Sequence, residues 1–218
     1  MVIMVVIYLD KGEEYKTVSS SVEVFNKVKD SKFYGVAKTC SSIDLAEKFI
    51  DNIRKKHSDA NHNVNAYRIY NNNNMIEYAD DDGEPAGSSG KPILQQISTR
   101  ELINTVVVVT RYFGGTKLGI GGLIRAYGET AKLAIEAAGI KNLILYKKLI
   151  FKGQYDYIGN VLGQLEKFKA DIKDQGYEEG QFVILAVLKY NIVNNLIKEV
   201  REITSDKIEI NIADSFYL

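Results

Sequence analysis

Apolar positions along the chain switch repeatedly between the two-residue spacing of strands and the three-to-four-residue spacing of helices, which predicts an α+β protein. Strands are predicted at residues 22–28, 33–38, 64–70, 75–79 and 106–110, and helices at residues 43–56, 92–101 and 123–138. Residues 1–9 are apolar but only about half as long as a membrane-spanning helix. We therefore expect an edge strand or a tail there, not a membrane anchor.

The pattern changes character near residue 143. Strands are predicted at residues 143–151, 170–177, 182–190 and 207–212, and helices at residues 157–169 and 192–204. The order β-α-β-β-α-β is typical of a ferredoxin-like domain. The sequence thus predicts two domains, at residues 1–142 and 143–218.

A glycine-rich stretch lies between the predicted strand at 106–110 and the helix that follows it. Its glycines are Gly114, Gly115, Gly119, Gly121 and Gly122. Glycines let backbone N–H groups turn toward one point, and the positive end of a following helix favours an anion. Three cations, Arg111, Lys117 and Arg125, accompany them. An anion site is one interpretation; close packing of the loop is the other.

Neither standard nucleotide motif fits this stretch. A Walker loop would place Gly-Lys-Ser/Thr at its end, but Gly119 is followed by Ile120 and Gly121. A dinucleotide fingerprint would need a glycine or alanine at Ile124. Any anion must therefore be held in another way.

An acidic loop at residues 80–92 contains both prolines of the chain. Its candidate site residues are Asp81, Asp82, Glu84, Ser88 and Ser89. Asp81 and Glu84 could hold a hydrated Mg²⁺ whose phosphate ligand lies on the glycine loop. Alternatively, the carboxylates could be counter-ions of the nearby cations, with no ligand. The sequence leaves both arrangements open.

Composition narrows the classes of function. The chain has 28 basic and 28 acidic side chains, so any nucleic-acid binding must be local. One cysteine, Cys40, fits a reducing compartment and a packing role, and we expect the protein in the cytoplasm. His57 and His62 lack metal-site spacing, and we expect them to cap a helix or lie at the surface.

Three strings resemble the YigZ/Impact family: N-A-Y-R at residues 65–68, D-D-G-E-P-A-G-S-S-G-K-P at 81–92, and R-Y-F-G-G-T-K-L-G-I-G-G-L-I-R-A-Y at 111–127. The resemblance implies an N-terminal sheet packed with helices, like the second domain of a small-subunit ribosomal protein. It also implies a ferredoxin-like C-terminal domain like one in an elongation factor. Ser88 and Ser89 stand where the family usually has threonine and alanine.

The leading functional hypothesis is a non-catalytic binding protein linked to translation. It would contact RNA or the ribosome through the glycine loop and Arg68, Arg111, Lys117 and Arg125, without a cofactor. One alternative is an enzyme acting on a phosphorylated small molecule with Mg²⁺ at the acidic loop. Another is a protein-interaction regulator of a starvation-response pathway, as the resemblance implies. The sequence does not specify the partner or the oligomeric state.

Overall fold

A computed structural model describes residues 2–8, 13–71 and 74–218. These residues divide into two compact units, one containing Tyr15–Asn142 and the other Leu143–Leu218. Each unit has its own sheet with helices, so the predicted two-domain α+β class is confirmed. Across the described ranges, no helix combines the length and the apolar character needed to span a bilayer.

The first unit is built on a six-stranded antiparallel sheet. Its chain order is β1 (Val2–Tyr8), β2 (Glu14–Val18), β3 (Glu23–Val28), β4 (Ser31–Thr39), α1 (Ile43–Lys56), β5 (His62–Asn71), β6 (Asn74–Asp80), α2 (Gly90–Ser98), β7 (Thr105–Tyr112) and α3 (Ile120–Ala138). The sheet order is β1-β6-β5-β7-β4-β3, with β2 outside it. Met1, Leu9, Asn72 and Asn73, which the predicted first strand and asparagine hairpin include, lie outside the described residues.

The valine run of β7 explains the layering of this unit. Val106 and Val108 are buried in a cluster with α1, whereas Val107 and Val109 are buried in a second cluster with α2 and α3. Successive side chains of a strand point to opposite faces, so an uninterrupted apolar run fits a strand covered on both sides. The sheet is therefore sandwiched between α1 and the α2–α3 pair.

Two helices of the first unit differ from their predicted bounds. α3 begins at Ile120, because the Leu123 N–H donates to the Gly119 carbonyl at 2.9 Å and closes the first turn there. α2 ends at Ser98 and not near residue 101, because Glu101 adopts a left-handed φ of 56°. The Leu102 N–H then donates back to the Ile97 carbonyl at 3.1 Å, a bond that terminates helices of this kind.

The second unit contains β8 (Ile140–Gln154), α4 (Ile158–Lys167), β9 (Asp171–Glu178), β10 (Gln181–Lys189), α5 (Tyr190–Ile203) and β11 (Glu209–Tyr217). Its strands lie in the order β11-β8-β10-β9, which is the fourth, first, third and second strand of the unit. Phe151 and Phe182 from the sheet pack with Leu165 and Leu196 from the two helices. The ferredoxin-like prediction is therefore confirmed.

Candidate anion-binding cleft

The glycine loop, residues 113–119, connects β7 to α3. Gly114 lies so close to Asp30 that a Cβ there would come within 1.9 Å of the Asp30 carbonyl oxygen. Gly115 and Gly119 have φ values of +93° and +71°, where side chains are strained. The backbone path alone accounts for these three glycines. The sequence interpretation placed Gly121 and Gly122 in the loop; this is wrong, because both lie in the first turn of α3.

Gly114→Ala is expected to destabilise the first unit by about 3 kcal/mol, because the added methyl group forces two backbone segments apart. Gly115 is the matched control, since a Cβ there meets no atom within 4 Å. Gly115→Ala should cost only the left-handed strain, about 1 kcal/mol. Urea unfolding followed by circular dichroism measures both. Equal costs for the two variants would contradict the close approach.

The acidic loop is organised around the buried side chain of Asp81. Its Oδ1 accepts hydrogen bonds from the N–H groups of Ser89 (3.0 Å) and Gly90 (2.9 Å), and its Oδ2 accepts one from Gly87 (2.7 Å). Ser89 occupies the N-cap position of α2, but its side chain makes no capping hydrogen bond. Asp81, which lies eight residues before Ser89 in the chain, therefore accepts the hydrogen bonds that an N-cap side chain normally accepts. Ser88 donates to the Pro85 carbonyl at 2.6 Å.

A buried ion pair joins the acidic loop to the end of β7, just before the glycine loop. Arg111 Nη1 donates to Glu84 Oε1 at 2.7 Å, and the two side chains are only 6% and 4% exposed. The hydroxyl group of Tyr127, in α3, donates to the same oxygen at 2.8 Å. Burial, reinforced by the Glu84 charge, raises the pKa of Tyr127 far above its ordinary value, so this donor keeps its proton. The other guanidinium end, Nη2, donates to Ser31 at 3.3 Å.

His62 lies beside the Arg111–Glu84 pair, although the sequence interpretation gave it only a capping or surface role. Its Nδ1 lies 2.7 Å from the Asp82 carbonyl oxygen, which can only accept, so Nδ1 carries a proton. Its Nε2 lies 3.8 Å from Glu84 Oε1. Strand pairing places His62 directly opposite Arg111 in the β5–β7 register. Pairing these two strands beyond their predicted ends could have found it, and residues 62–63 also match the pattern of the YigZ/Impact family.

A cleft of about 460 Å³ opens above this buried pair. It is lined by His62, Glu84, Arg111, Phe113, Lys117 and Gly119, together with apolar side chains of the α3 start. The Arg111 guanidinium lies 5.3 Å from the Phe113 ring centre, and Phe113 is 44% exposed. The acidic loop and the end of β7 therefore form a salt-bridged floor, and above the floor the cleft is open to solvent.

The N-terminus of α3 forms one rim of the cleft. The N–H of Leu123 is the first in the helix to donate to a carbonyl group one turn earlier, that of Gly119. The N–H groups of Ile120, Gly121 and Gly122 come before it and have no acceptor within the helix. Gly119, at the N-cap, has no side chain to cap them. This end of the helix therefore presents its positive pole to the cleft.

The predicted cations are in three different situations. Arg111 is neutralised by Glu84, whereas Lys117 and Arg125 are exposed and, within the described ranges, form no salt bridge. Arg125 Nη1 lies 3.7 Å from the position of a Cβ on Gly121, so its guanidinium group reaches the first turn of α3. Arg68 lies six residues along β5 from His62, about 20 Å away, and pairs with Glu77 at 2.9 Å. The structure does not bring Arg68 to the cleft.

The carboxylates considered for Mg²⁺ serve other partners. Asp81 accepts three backbone N–H groups, Glu84 binds Arg111 and Tyr127, and Asp82 accepts from the Asn63 N–H at 2.6 Å. Asp82 Oδ1 also lies 3.7 Å from Arg54. Among the described residues, no group of three or more His, Cys, Asp or Glu side chains is arranged to hold a metal ion.

The fold and the cleft define a two-domain α+β protein whose first domain has an anion-favouring cleft at a helix N-terminus. The profile of the Impact N-terminal domain matches residues 29–135. The IMPACT family member YvyE of Bacillus subtilis is 36% identical over 165 residues, which are 76% of this chain and 76% of that protein. This chain belongs to the IMPACT family.

Two further comparisons concern the family and the fold. The IMPACT family member YigZ of Escherichia coli is 28% identical over 177 residues, covering 80% of this chain and 85% of that protein. A crystal structure described as that of a hypothetical protein has a TM-score of 0.62 at 22% identity, covering 93% of this chain and 98% of that one. The sequence resemblance to the YigZ/Impact family is therefore confirmed, and the crystal structure supports the fold.

Proposed function

We propose that this chain is a non-catalytic, cytoplasmic binding protein linked to translation, and that its cleft holds the phosphate backbone of single-stranded RNA. The observation that carries the proposal is the open N-terminus of α3 at the rim of the cleft, with exposed Lys117 in the cleft lining and exposed Arg125 reaching the first turn of the helix. Helix N-termini bind phosphate through free N–H groups and the helix dipole, and nearby cations add long-range attraction. The link to translation is carried over from the family resemblance.

The exposed ring of Phe113 extends this site beyond a phosphate. It lines the cleft together with Lys117. Proteins that bind single strands without strong sequence preference combine cations for the backbone with aromatic rings for the bases. A base stacked on Phe113 while its phosphate contacts the α3 start would use both groups.

Lys117→Glu combined with Arg125→Glu is expected to weaken binding of a labelled oligouridylate by at least about tenfold, because both side chains then repel the phosphates. The slope of log K against log salt should become shallower by roughly 0.7 for each phosphate that the protein no longer neutralises. Fluorescence anisotropy across a salt series measures both quantities.

The matched control is Lys48→Glu with Lys55→Glu, which makes the same change in charge on exposed residues of α1, across the sheet from α3. It should change affinity only slightly. Equal losses of RNA affinity in the two double variants would show that the effect comes from the net charge of the protein and not from the cleft. Unchanged affinity and salt slope in the cleft variant would remove this surface from consideration and favour the protein-interaction alternative.

The size of the cleft favours a second candidate function, action on a phosphorylated small molecule. About 460 Å³ is within the range of small-ligand pockets. Titration with uridine monophosphate, followed by amide shifts of the loop at residues 113–119, separates the two. If the mononucleotide binds as tightly as the oligomer, the small-molecule function replaces RNA binding. We assign no Mg²⁺ to either function, because Asp81 and Glu84 have other partners.

A further inference from the structure

A second, smaller cavity of about 260 Å³ lies in the first unit, on the opposite side of the sheet from α3. We call it the α1 pocket. Its lining includes Glu47, Asp51 and Arg54 of α1, Asn65 and Tyr67 of β5, and Tyr78 of β6. None of its lining residues contributes to the cleft, so the α1 pocket is distinct from the proposed RNA site.

Asn65 is the first reason to expect a ligand there. Its side chain is buried, with the residue only 1% exposed, and its Oδ1 has no hydrogen-bond partner in the described part of the chain. Its Nδ2 donates to the Asn63 carbonyl at 3.4 Å. Because a carbonyl oxygen only accepts, this atom is the amide nitrogen, and the unpaired atom is the oxygen Oδ1. A buried acceptor without a donor is costly, so the α1 pocket favours an occupant that carries N–H or O–H groups.

The charges around the α1 pocket favour a cation. Glu47 and Asp51 are four residues apart on one face of α1, a spacing at which like charges repel. Arg54 does not neutralise both carboxylates. Its guanidinium lies within salt-bridge distance of Asp51 (3.8 Å), but also of Asp80 (3.4 Å) and Asp82 (3.7 Å). Glu47 forms no salt bridge with a described residue. Negative charge is therefore in excess.

Two aromatic rings complete the lining. Tyr67 and Tyr78 are cross-strand partners, stacked at 4.7 Å between ring centres and 10° between planes. Burial, with a contribution from Glu47, raises the pKa of Tyr67 to about 12, so its phenol is neutral near pH 7. Neutral tyrosine rings attract organic cations and contact methylene groups favourably.

We propose that the α1 pocket binds a small organic cation with N–H donors, a primary amine or a guanidinium. One N–H donates to Asn65 Oδ1, the carboxylates of Glu47 and Asp51 balance the charge, and the carbon chain packs against Tyr67 and Tyr78. A volume of about 260 Å³ corresponds to roughly eight or nine water molecules, enough for a short diamine. A bare metal ion does not fit as well, since it would leave the rings without a contact.

The test uses the full chain and 1,4-diaminobutane, with binding followed by amide chemical shifts at constant ionic strength. We expect saturable shifts at residues 65, 67 and 78. Two probes separate the contributions, because 1,4-butanediol has the same length without charge and tetramethylammonium has the charge without N–H groups. Both should bind at least about tenfold more weakly than the diamine. Equal binding of all three, or no shifts with the diamine, overturns the proposal.

Variants localise the effect. Glu47→Gln with Asp51→Asn should weaken diamine binding at least about tenfold, whereas Asp44→Asn, on the same helix but outside the α1 pocket, should leave it nearly unchanged. Asn65→Leu removes the unpaired acceptor, so it should abolish diamine binding without lowering the melting temperature. If Asp44→Asn weakens binding as much as the double variant, or if Asn65→Leu binds normally, the site is wrongly assigned.

Discussion

Arg111→Ala is expected to lower the free energy of unfolding of the first unit by about 3–5 kcal/mol, among the largest effects of any single substitution in this chain. The reason is the environment of Glu84, which is 4% exposed and receives the guanidinium at 2.7 Å. Without Arg111 the carboxylate would remain buried with the hydroxyl of Tyr127 as its main partner. The substitution also removes the stacking of the guanidinium on Phe33 at 5.7 Å and on Phe113 at 5.3 Å.

Urea unfolding, fitted with a separate transition for each unit, measures this destabilisation. The matched control is Lys117→Ala, which removes an exposed cation of the glycine loop and should change stability by less than about 0.5 kcal/mol. A double variant, Arg111→Met with Glu84→Leu, removes both charges and should be less destabilised than Arg111→Ala. A cost below about 1 kcal/mol for Arg111→Ala would show that the ion pair is not buried as described.

Asp81→Ala is the second substitution with a large expected effect. It removes the acceptor of three backbone N–H groups, and the donors at Ser89 and Gly90 belong to buried residues. Each buried donor left unpaired costs about 1–3 kcal/mol, so a total of about 2–6 kcal/mol is expected. The start of α2 should lose protection against amide hydrogen exchange, because the N–H groups of Ser89 and Gly90 lie at its N-cap and first position.

Ser89→Ala serves as the control for Asp81→Ala. Ser89 is also buried in this loop, but its side chain does not cap α2 and shares one hydrogen bond, with the Ser88 hydroxyl at 3.1 Å, so its removal should cost about 1 kcal/mol. Asp81→Asn keeps one oxygen and should be intermediate. If Asp81→Ala is as stable as Ser89→Ala, the hydrogen bonds to this carboxylate contribute little to stability, and the assignment of Asp81 as the cap of α2 is wrong.

The three cations near the glycine loop differ in their surroundings more than the sequence motif suggested. The sequence presented Arg111, Lys117 and Arg125 as three equivalent cations beside a glycine loop. The structure separates them, because Arg111 lies on β7 and points into the buried floor, whereas Lys117 and Arg125 lie on the exposed loop and helix. Charge reversal at Arg111 would therefore report on folding, and only Lys117 and Arg125 can report on an anion in solution.

The acidic loop shows the same limit of sequence reasoning. Nothing local distinguishes Asp81, Asp82 and Glu84, which lie within four positions of one another. In the fold, Asp81 caps α2, Asp82 fixes the His62–Asn63 segment, and Glu84 binds the arginine. Three carboxylates with similar sequence surroundings thus have three different partners, each on a different element.

The sequence by itself determined the elements of this protein, because apolar periodicity and β-branched runs are local properties of the chain. The buried valines of β7 and the β-α-β-β-α-β order of the second unit were readable on that basis. Only the tertiary structure decided that Glu84 cancels Arg111 and that His62 faces the cleft. The physical reason is that charge balance depends on which strands and loops become neighbours, and these lie tens of residues apart in the chain.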